Sequence, residues 1–181
     1  KVNYYSTFSK LHCNPVHLDF FKRTPDLEKL IGEQDAIFVG GGNTKSMLAV
    51  WKDWGLDNLL QKAYEAGVVM SGVSAGANCW FERAVVDSWE DELKVIDCMG
   101  FVKGNFCPHY DEEPQRRPSV KSFLEEGIIN ACYASEGNAA LHIKDDDYLS
   151  IDFGKQKQSY LVSLAQGKVS EVAFESLSLK V

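Results

Sequence analysis

Two short apolar segments, each running into a glycine-rich turn and then a helical pattern, constrain the fold of this chain most. Residues 36–39 precede the glycines at 40–42, and residues 68–70 precede the turn at 72–76. Apolar runs of this length are typical of parallel strands that are buried on both faces. Since strand, turn and helix alternate, the pattern predicts an α/β fold with a mostly parallel, doubly wound sheet.

Hydrophobic periodicity predicts the remaining elements. Helices are expected near residues 4–11, 25–31, 44–51, 56–66 and 119–126, and strands near residues 17–21, 84–86, 139–143, 160–164 and 169–174. The last two strands are expected to form a hairpin that turns at Gln166-Gly167. No repeat or linker divides the chain, which predicts a single domain over residues 1–181. Because the chain starts directly in a helical pattern, we expect its first βα unit to be absent.

Composition and charge narrow the classes of partner. The chain of 181 residues carries a formal net charge of −7 and no basic patch, which argues against nucleic acid as a partner. No apolar run approaches the ~18 residues that span a bilayer, so membrane insertion is not expected. The five cysteines are dispersed and odd in number, which indicates reduced thiols in a cytoplasmic protein. The oligomeric state is not determined by the sequence, and a homodimer stays open.

The second glycine-rich turn matches the pattern G-x-S-x-G, with Ser74 at its centre. In a nucleophile elbow the serine lies on a strained strand-to-helix turn, where side chains in place of the glycines would collide with neighbouring backbone. The following helix leaves the N–H of Ala75 unpaired and able to stabilise an oxyanion. The pattern predicts that Ser74 is the nucleophile of a serine hydrolase. The competing interpretation is a tight turn without chemistry.

A catalytic serine needs a base, normally a histidine that a carboxylate orients. Of the four histidines, His109 follows Pro108 in a loop after a hydrophobic stretch, where α/β folds place catalytic groups. The other three are predicted on a helix end or on strands: His12, His17 and His142. His109 is therefore the predicted base.

The orienting acid is expected between Ser74 and His109, following the chain order of elbow-type hydrolases. Asp87 comes directly after the apolar residues 84–86, at the predicted end of a strand where a carboxylate can be held and partly buried. Glu90 is the second choice. The other acidic residues in this interval are Glu82, Asp91, Glu92 and Asp97.

The first glycine-rich turn lacks both the Lys-Ser/Thr of a phosphate-binding loop and the glycine spacing of a dinucleotide site. It is better suited to supply a second oxyanion donor, the N–H of Gly42, and Asn43 can cap the helix that follows. Beyond His109, Arg116 and Arg117 could clamp a substrate carboxylate with paired N–H donors. The alternative is a set of surface salt bridges with the acidic residues before them, Asp111, Glu112 and Glu113.

Four segments follow one another along the chain: VGGGNT at residues 39–44, GVSAGAN at 72–78, PH at 108–109 and EGN at 136–138. In order and approximate spacing they resemble the peptidase E family of aspartyl dipeptidases, over roughly residues 36–143. The resemblance implies a flavodoxin-like three-layer α/β sandwich related to class I glutamine amidotransferases, with serine in place of cysteine at the elbow. It also implies cleavage after an N-terminal aspartate without metal or organic cofactor.

The resemblance further implies roles for residues of this chain. Ser74 would be the nucleophile, His109 the base and Asp87 the acid. Glu90 is kept as the alternative acid because the related cyanophycinases use glutamate. By the same resemblance, the N–H groups of Gly42 and Ala75 would stabilise the oxyanion, and Asn43 would bind substrate. Arg116 would bind the aspartate side chain. Glu136 would bind the substrate amine or stabilise the loop.

Together these features predict a serine-type dipeptidase whose partner is a small peptide substrate. Two other functions stay open. One is a hydrolase of the same fold with another substrate, such as a cyanophycinase-like enzyme. The other is a catalytically silent, amidotransferase-like binding module in which the serine turn is architectural. A flavodoxin-like nucleotide binder has little support, since residues 40–42 do not match a nucleotide motif.

Overall fold

The computed structural model describes residues 2–179, and the chain divides into two compact units, one up to Gln34 and one from Asp35 onward. The first unit contains the helices α1 (Val2–Phe8) and α2 (Leu27–Gly32). Helix α2 begins after Asp26, because the Asp26 carboxylate accepts a hydrogen bond from the N–H of Lys29 and so satisfies a free donor of the first turn. The helix predicted at residues 25–31 is therefore confirmed.

The strand predicted at residues 17–21 is wrong. These residues are irregular and pair with no strand of the described chain. The hydroxyl of Tyr5 shares a hydrogen bond with Nδ1 of His17 at 2.8 Å, and the hydroxyl of Tyr4 donates to the carbonyl of Val16 at 3.0 Å. An alternating pattern becomes a strand only where a neighbouring strand satisfies its backbone, and here side chains of α1 bind the segment instead.

The second unit contains all the strands and the remaining helices of the described residues. In chain order they are β1 (Ala36–Val39), α3 (Thr44–Asp53), α4 (Leu56–Glu65), β2 (Val69–Gly72), α5 (Ala75–Asn78), β3 (Phe81–Val86), β4 (Lys94–Asp97), β5 (Val102–Cys107), α6 (Arg116–Glu125), β6 (Ala131–Ser135), β7 (Ala139–Lys144), β8 (Asp147–Asp152), β9 (Ser159–Ala165), β10 (Lys168–Ala173) and β11 (Ser176–Ser178). Up to α6 the strands are interspersed with helices, and the strands after α6 follow one another without a helix between them.

The longest sheet has the strand order β10-β9-β6-β5-β3-β4. Its centre is parallel, since β5 pairs with both β3 and β6 in that sense, and its two edges are antiparallel. Strands β1 and β2 form a separate parallel pair, and β7, β8 and β11 form a third sheet. The predicted α/β class is confirmed, with sheets of mixed direction.

Several local predictions are confirmed by the backbone and its caps. The β9–β10 hairpin turns at Gln166 and Gly167, whose φ values of 51° and 76° suit a type I′ turn. Helix α3 begins after Asn43, because the Asn43 side chain accepts the N–H of Ser46 at 3.0 Å. The predicted strands at β1, β2 and β7 and the predicted helices at α4 and α6 are also present.

The core of the second unit lies between the long sheet and α6. Its buried members include Val85 on β3, Cys107 at the end of β5, and Val120 and Leu124 on α6. Burial raises the pKa of the Cys107 thiol to about 12, although Arg116 opposes the shift, so this cysteine is a packed apolar group rather than a nucleophile. The packing fixes the carboxyl ends of β3 and β5, where the candidate site begins.

Candidate active site

Ser74 lies on the sharp turn between β2 and α5, with a φ of 57° and a ψ of −119°. A positive φ is unfavourable for a residue with a Cβ and persists only where the surrounding structure holds it. On one side the N–H of Val73 donates to the carbonyl of Val39 at 3.1 Å, and on the other the N–H of Asn78 donates to the carbonyl of Ser74 at 2.9 Å. The predicted context of strand, serine and helix is therefore present.

The glycines on either side of Ser74 are required because backbone approaches too closely for a side chain. A Cβ on Gly72 would overlap the carbonyl of Gly76, and a Cβ on Gly76 would overlap the carbonyl of Val39. Neither glycine has a positive φ, so the requirement is steric. The G-x-S-x-G pattern thus reflects tight packing of the Ser74 turn against the end of β1.

The turn at residues 40–42 lies against Ser74. A Cβ placed on Gly41 would be 3.3 Å from Ser74 Cβ and 3.8 Å from Ser74 Oγ. The N–H groups of Gly42 and Ala75 have no hydrogen-bond partner within residues 2–179. Both groups are therefore free donors on the two turns that meet at the serine, and their use as oxyanion donors stays a prediction.

Asn43 joins the turn after β1 to the turn after β3. Its Oδ1 accepts the N–H of Ser46 at 3.0 Å, and its Nδ2 donates to the carbonyl of Ser88 at 2.9 Å. The N–H of Lys45 adds a hydrogen bond to the Ser88 hydroxyl at 3.2 Å. The Asn43 amide thus caps α3 through its oxygen and bonds to the turn after β3 through its nitrogen, and its contact with substrate stays a prediction.

His109 lies just past the end of β5, with a φ of 53°. Its Nδ1 is 2.6 Å from Oε2 of Glu112. Because an ionised carboxylate can only accept, Nδ1 is assigned the proton in this pair and Nε2 keeps a lone pair. Nε2 has no partner in the part of the chain that the structure describes. In the neutral imidazole this is the tautomer that a general base needs.

The Ser74 turn and the His109 turn belong to the same edge of the fold. Strands β3 and β5 are parallel neighbours, so the turns that follow them lie side by side. The turn after β1 is bonded to the turn after β3 through Asn43 and touches Ser74 through Gly41. The Ser74 hydroxyl makes no hydrogen bond within residues 2–179.

Asp87, predicted as the acid that orients His109, pairs with Arg116 instead. Its Oδ2 is 3.3 Å from the Arg116 guanidinium, whereas the carboxylate on His109 is that of Glu112. Glu90, the second choice, is exposed and makes no contact with His109 among the described residues. The end of β3 faces α6, and within residues 2–179 Asp87 makes no hydrogen bond to His109, so its role as the acid stays a prediction.

The carboxylate that contacts His109, that of Glu112, lies outside the interval between Ser74 and His109 in which the acid is predicted. The local signal is the spacing His-x-x-Glu, which brings two side chains together when the residues form a turn. In the structure the N–H of Glu112 donates to the carbonyl of His109 at 3.2 Å, which closes that turn. The His-x-x-Glu spacing therefore makes Glu112 a candidate from sequence. The spacing is not specific, because acidic turns on protein surfaces also contain it.

Arg116, predicted to read a substrate carboxylate, is a core residue. It is 1% exposed, and its guanidinium donates to Glu113 at 2.8 Å and to the carbonyl of Val85 at 3.1 Å, besides pairing with Asp87. Burial alone would lower the pKa of Arg116, but the hydrogen bond to Glu113 and the neighbouring acidic groups, Cys107 among them, raise it above its usual value. Arg116 therefore holds β3 and α6 together, and its contact with a substrate carboxylate stays a prediction.

Replacing Arg116 with leucine is expected to lower the free energy of unfolding by about 3 kcal/mol, because the carboxylates of Glu113 and Asp87 lose their cation. Urea unfolding measures the change. The matched control is Lys121→Leu, whose exposed pair with Glu125 at 3.8 Å should be worth less than about 0.5 kcal/mol. An Arg116→Leu variant with wild-type stability would contradict the structural role of this arginine.

Arg117 points away from Arg116 and binds Glu136. Its guanidinium is 2.9 Å from Oε1 of Glu136, lies 4.4 Å from the ring centroid of Tyr110 and also pairs with Glu171. Glu136 is 11% exposed and accepts the N–H of Gln158 at 3.1 Å. These contacts favour the second of the two roles left open for Glu136, in which it holds the turn after β6. A contact with the substrate amine stays a prediction.

Two features are absent from residues 2–179. No group of three or more His, Cys, Asp or Glu side chains could hold a metal ion there. Among the described helices none has the length and apolar character needed to span a membrane.

The chain is similar to curated peptidases. It is 41% identical over 171 residues to the uncharacterized peptidase YgaJ of Bacillus subtilis (strain 168), which covers 93% of this chain and 74% of that protein. It is 32% identical over 118 residues to Peptidase E of Streptomyces coelicolor, which covers 60% of this chain and 49% of that protein.

The fold and the family are shown by two further comparisons. A crystal structure of a candidate peptidase E from Listeria monocytogenes EGD-e matches with a TM-score of 0.52 and 21% sequence identity, over 68% of this chain and 62% of that one. At this identity the likeness shows the fold alone, and a flavodoxin-like α/β fold agrees with it. The sequence profile of peptidase family S51 matches residues 2–151, which is most of the chain. The chain therefore belongs to peptidase family S51, and it is a peptidase.

Proposed function

We propose that the chain is a serine-type dipeptidase that hydrolyses peptides with an N-terminal aspartate through an acyl-enzyme on Ser74. The observation that carries the proposal is the strained Ser74 turn with free backbone donors beside it, on the same edge as a histidine held by a carboxylate. In serine hydrolases such parts are the nucleophile elbow, the oxyanion hole and the base. The preference for aspartate is supported by the resemblance to the peptidase E family.

The proposed reaction begins when Nε2 of His109 takes the proton of the Ser74 hydroxyl as Oγ attacks the carbonyl carbon of the aspartyl residue. The carbonyl oxygen becomes negative and accepts hydrogen bonds from the N–H groups of Gly42 and Ala75. The C–N bond then breaks, and the proton on His109 passes to the departing amine. Water attacks the resulting ester with His109 again as base, which releases aspartate and restores the Ser74 hydroxyl.

Glu112 takes the place of the acid in this proposal. Its 2.6 Å contact with Nδ1 fixes the tautomer in which Nε2 can accept a proton. Its negative charge also stabilises the imidazolium that forms when Ser74 loses its proton. Asp87 is less suited to this role because its charge is directed at Arg116.

A substrate with an N-terminal aspartate needs a cation for its side chain, and Lys45 is our candidate in place of Arg116. Lys45 is exposed in the first turn of α3, two residues after Asn43 and close in the chain to the turn that touches Ser74. Its ammonium lies 5.6 Å from the ring centroid of Trp89 and has no carboxylate partner among the described residues. Arg117, by contrast, is already paired with Glu136 and Glu171.

The test is hydrolysis of Asp-Leu, Glu-Leu and Leu-Leu dipeptides by the wild type and by Lys45→Met. We expect kcat/KM for Asp-Leu to exceed that for Leu-Leu by about 10- to 100-fold, the worth of a hydrogen bond to a charged group, and Lys45→Met to reduce this ratio. Lys94→Met is the matched control, because Lys94 also contacts the Trp89 ring but pairs with Glu92 at 2.7 Å.

The outcomes separate the alternatives. Equal hydrolysis of Leu-Leu would contradict the preference for aspartate and favour a small-peptide hydrolase of other specificity. A protein that cleaves none of the dipeptides and does not react with a serine-directed fluorophosphonate would be a binding module. Preference for aspartate that survives in Lys45→Met would keep the proposed activity and remove Lys45 from substrate recognition.

A further inference from the structure

The turn after β6 is bonded to the turn that carries His109 and Glu112. The N–H of Gly137 donates to Oδ1 of Asp111 at 2.8 Å, and the other Asp111 oxygen pairs with Lys157. Asp111 is next to Glu112 in the chain, so this hydrogen bond fixes the backbone of Gly137 directly beside the carboxylate that holds the imidazole.

The side chain of Glu112 occupies the space that a side chain at position 137 would fill. A Cβ on Gly137 would overlap the Cγ, Cδ and Oε1 atoms of Glu112. The φ of Gly137 is not positive, so alanine could adopt the same backbone conformation. The glycine is therefore required by the carboxylate that packs on it, and that carboxylate is the one 2.6 Å from His109.

The surface under Glu112 is a rigid turn. The N–H of Ala139 donates to the carbonyl of Glu136 at 3.1 Å, which closes the turn of residues 136–139. Arg117 holds the side chain of Glu136, and the N–H of Tyr110 donates to the carbonyl of Ser135 at 3.0 Å. A turn fixed at both ends in this way does not yield easily when a methyl group is added.

We propose that Gly137 is a positioning residue for catalysis, whose missing side chain lets Glu112 lie on the turn of residues 136–139 and reach His109. The inference rests on the proposed function, in which Glu112 holds the base. In this account the Glu-Gly-Asn segment acts in two ways. Glu136 anchors the turn, and the backbone of Gly137 is the surface on which the carboxylate of Glu112 packs.

The side chain of Glu112 is 48% exposed, so an added methyl group can displace it into solvent without unfolding the turn. Gly137→Ala is therefore expected to lower kcat by about 100-fold, the effect of misplacing a catalytic group by about 1 Å, with little change in KM. The matched control is Gly32→Ala on α2, where a Cβ meets nothing within 4 Å and activity should be retained.

The double variant Gly137→Ala with Glu112→Ala shows whether the effect runs through Glu112. Since Glu112→Ala removes the atoms that the new Cβ would meet, adding Gly137→Ala to it should cause no further loss of kcat. If Gly137→Ala costs the same factor in both backgrounds, the positioning role is wrong. Should Gly137→Ala alone fail to fold, the double variant is expected to fold, and its failure would equally overturn the inference.

A second readout does not depend on any substrate. The Nδ1–H of His109, in a short hydrogen bond to a carboxylate, is expected to give a low-field proton resonance in the wild type and in Gly32→Ala. The resonance should be lost in Glu112→Ala and in Gly137→Ala. A resonance that persists unchanged in Gly137→Ala would overturn the inference. If the wild type cleaves no aspartyl dipeptide but the resonance is lost as expected, the proposed function fails and the positioning of Glu112 stands.

Discussion

Replacing Ser74 with alanine is expected to lower kcat for the best dipeptide by about 10⁴- to 10⁶-fold, because the members of a catalytic triad act as a unit. A residual rate should remain, since the backbone donors at Gly42 and Ala75 are unchanged. Alanine keeps the Cβ and so adds no strain at a φ of 57°. The free energy of unfolding should therefore stay within about 0.5 kcal/mol of the wild type. Steady-state kinetics and urea unfolding measure the two quantities.

The matched control for this variant is Ser71→Ala on the strand that leads to the turn. The Ser71 hydroxyl is exposed and donates to the carbonyl of Ile37 at 3.1 Å. Its removal should cost about 1 kcal/mol of stability at most and leave kcat close to that of the wild type. Hydrolysis by Ser74→Ala at the rate of Ser71→Ala would exclude Ser74 as the nucleophile.

The second largest effect is expected for Glu112→Gln, a loss of about 10³- to 10⁴-fold in kcat. The amide of glutamine can donate to Nδ1, which moves the ring proton to Nε2 and prevents His109 from accepting the proton of Ser74. The variant also lacks the negative charge that stabilises the imidazolium. Because glutamine has nearly the same size and shape, the packing on Gly137 is preserved and KM should change little.

Asp87→Asn separates the two candidate acids. Asp87 contacts Arg116, which keeps its hydrogen bonds to Glu113 and to the carbonyl of Val85 in the variant. Its kcat should therefore remain far above that of Glu112→Gln, and the exposed Glu90→Gln should behave in the same way. A large loss in Asp87→Asn together with a small one in Glu112→Gln would show that the acid follows the chain order after all.

The apolar strands and their turns could be predicted because their signals are local. The runs at β1 and β2 are short, apolar and bounded by glycine, and Gln166-Gly167 separates two alternating strands. Strand β5 was not predicted, since Lys103, Gly104 and Asn105 interrupt its apolar pattern. It forms because β3 and β6 pair with it on both sides, a condition that no local pattern contains.

The serine and the histidine of the candidate site could also be predicted, but their partners could not. The glycines around Ser74 are visible in the sequence because backbone contact at Val39 tolerates no side chain there. The partner of His109 depends on which of several acidic side chains a single turn brings to the ring. Chain order predicts Asp87 as that partner, whereas the turn brings the carboxylate of Glu112 to Nδ1 of His109 and Asp87 pairs with Arg116.

The partners of the two neighbouring arginines could not be predicted from sequence either. Successive residues of a helix point about 100° apart, so Arg116 and Arg117 cannot both face the site. Sequence does not fix the rotation of α6, which is set by packing of Val120 and Leu124 into the core. That packing buries Arg116 against the end of β3 and places Arg117 beside Glu136. Both guanidinium groups are therefore paired with carboxylates of the protein itself.

The most direct test of Ser74 as a nucleophile activated by His109 and Glu112 is its reaction with a fluorophosphonate, followed by intact mass and peptide mapping. We predict one adduct, on Ser74, in the wild type and none in Ser74→Ala. Labelling should be much slower in Glu112→Gln and close to the wild-type rate in Asp87→Asn. A wild-type protein that stays unlabelled, or an adduct of equal mass on Ser74→Ala, would contradict the mechanism.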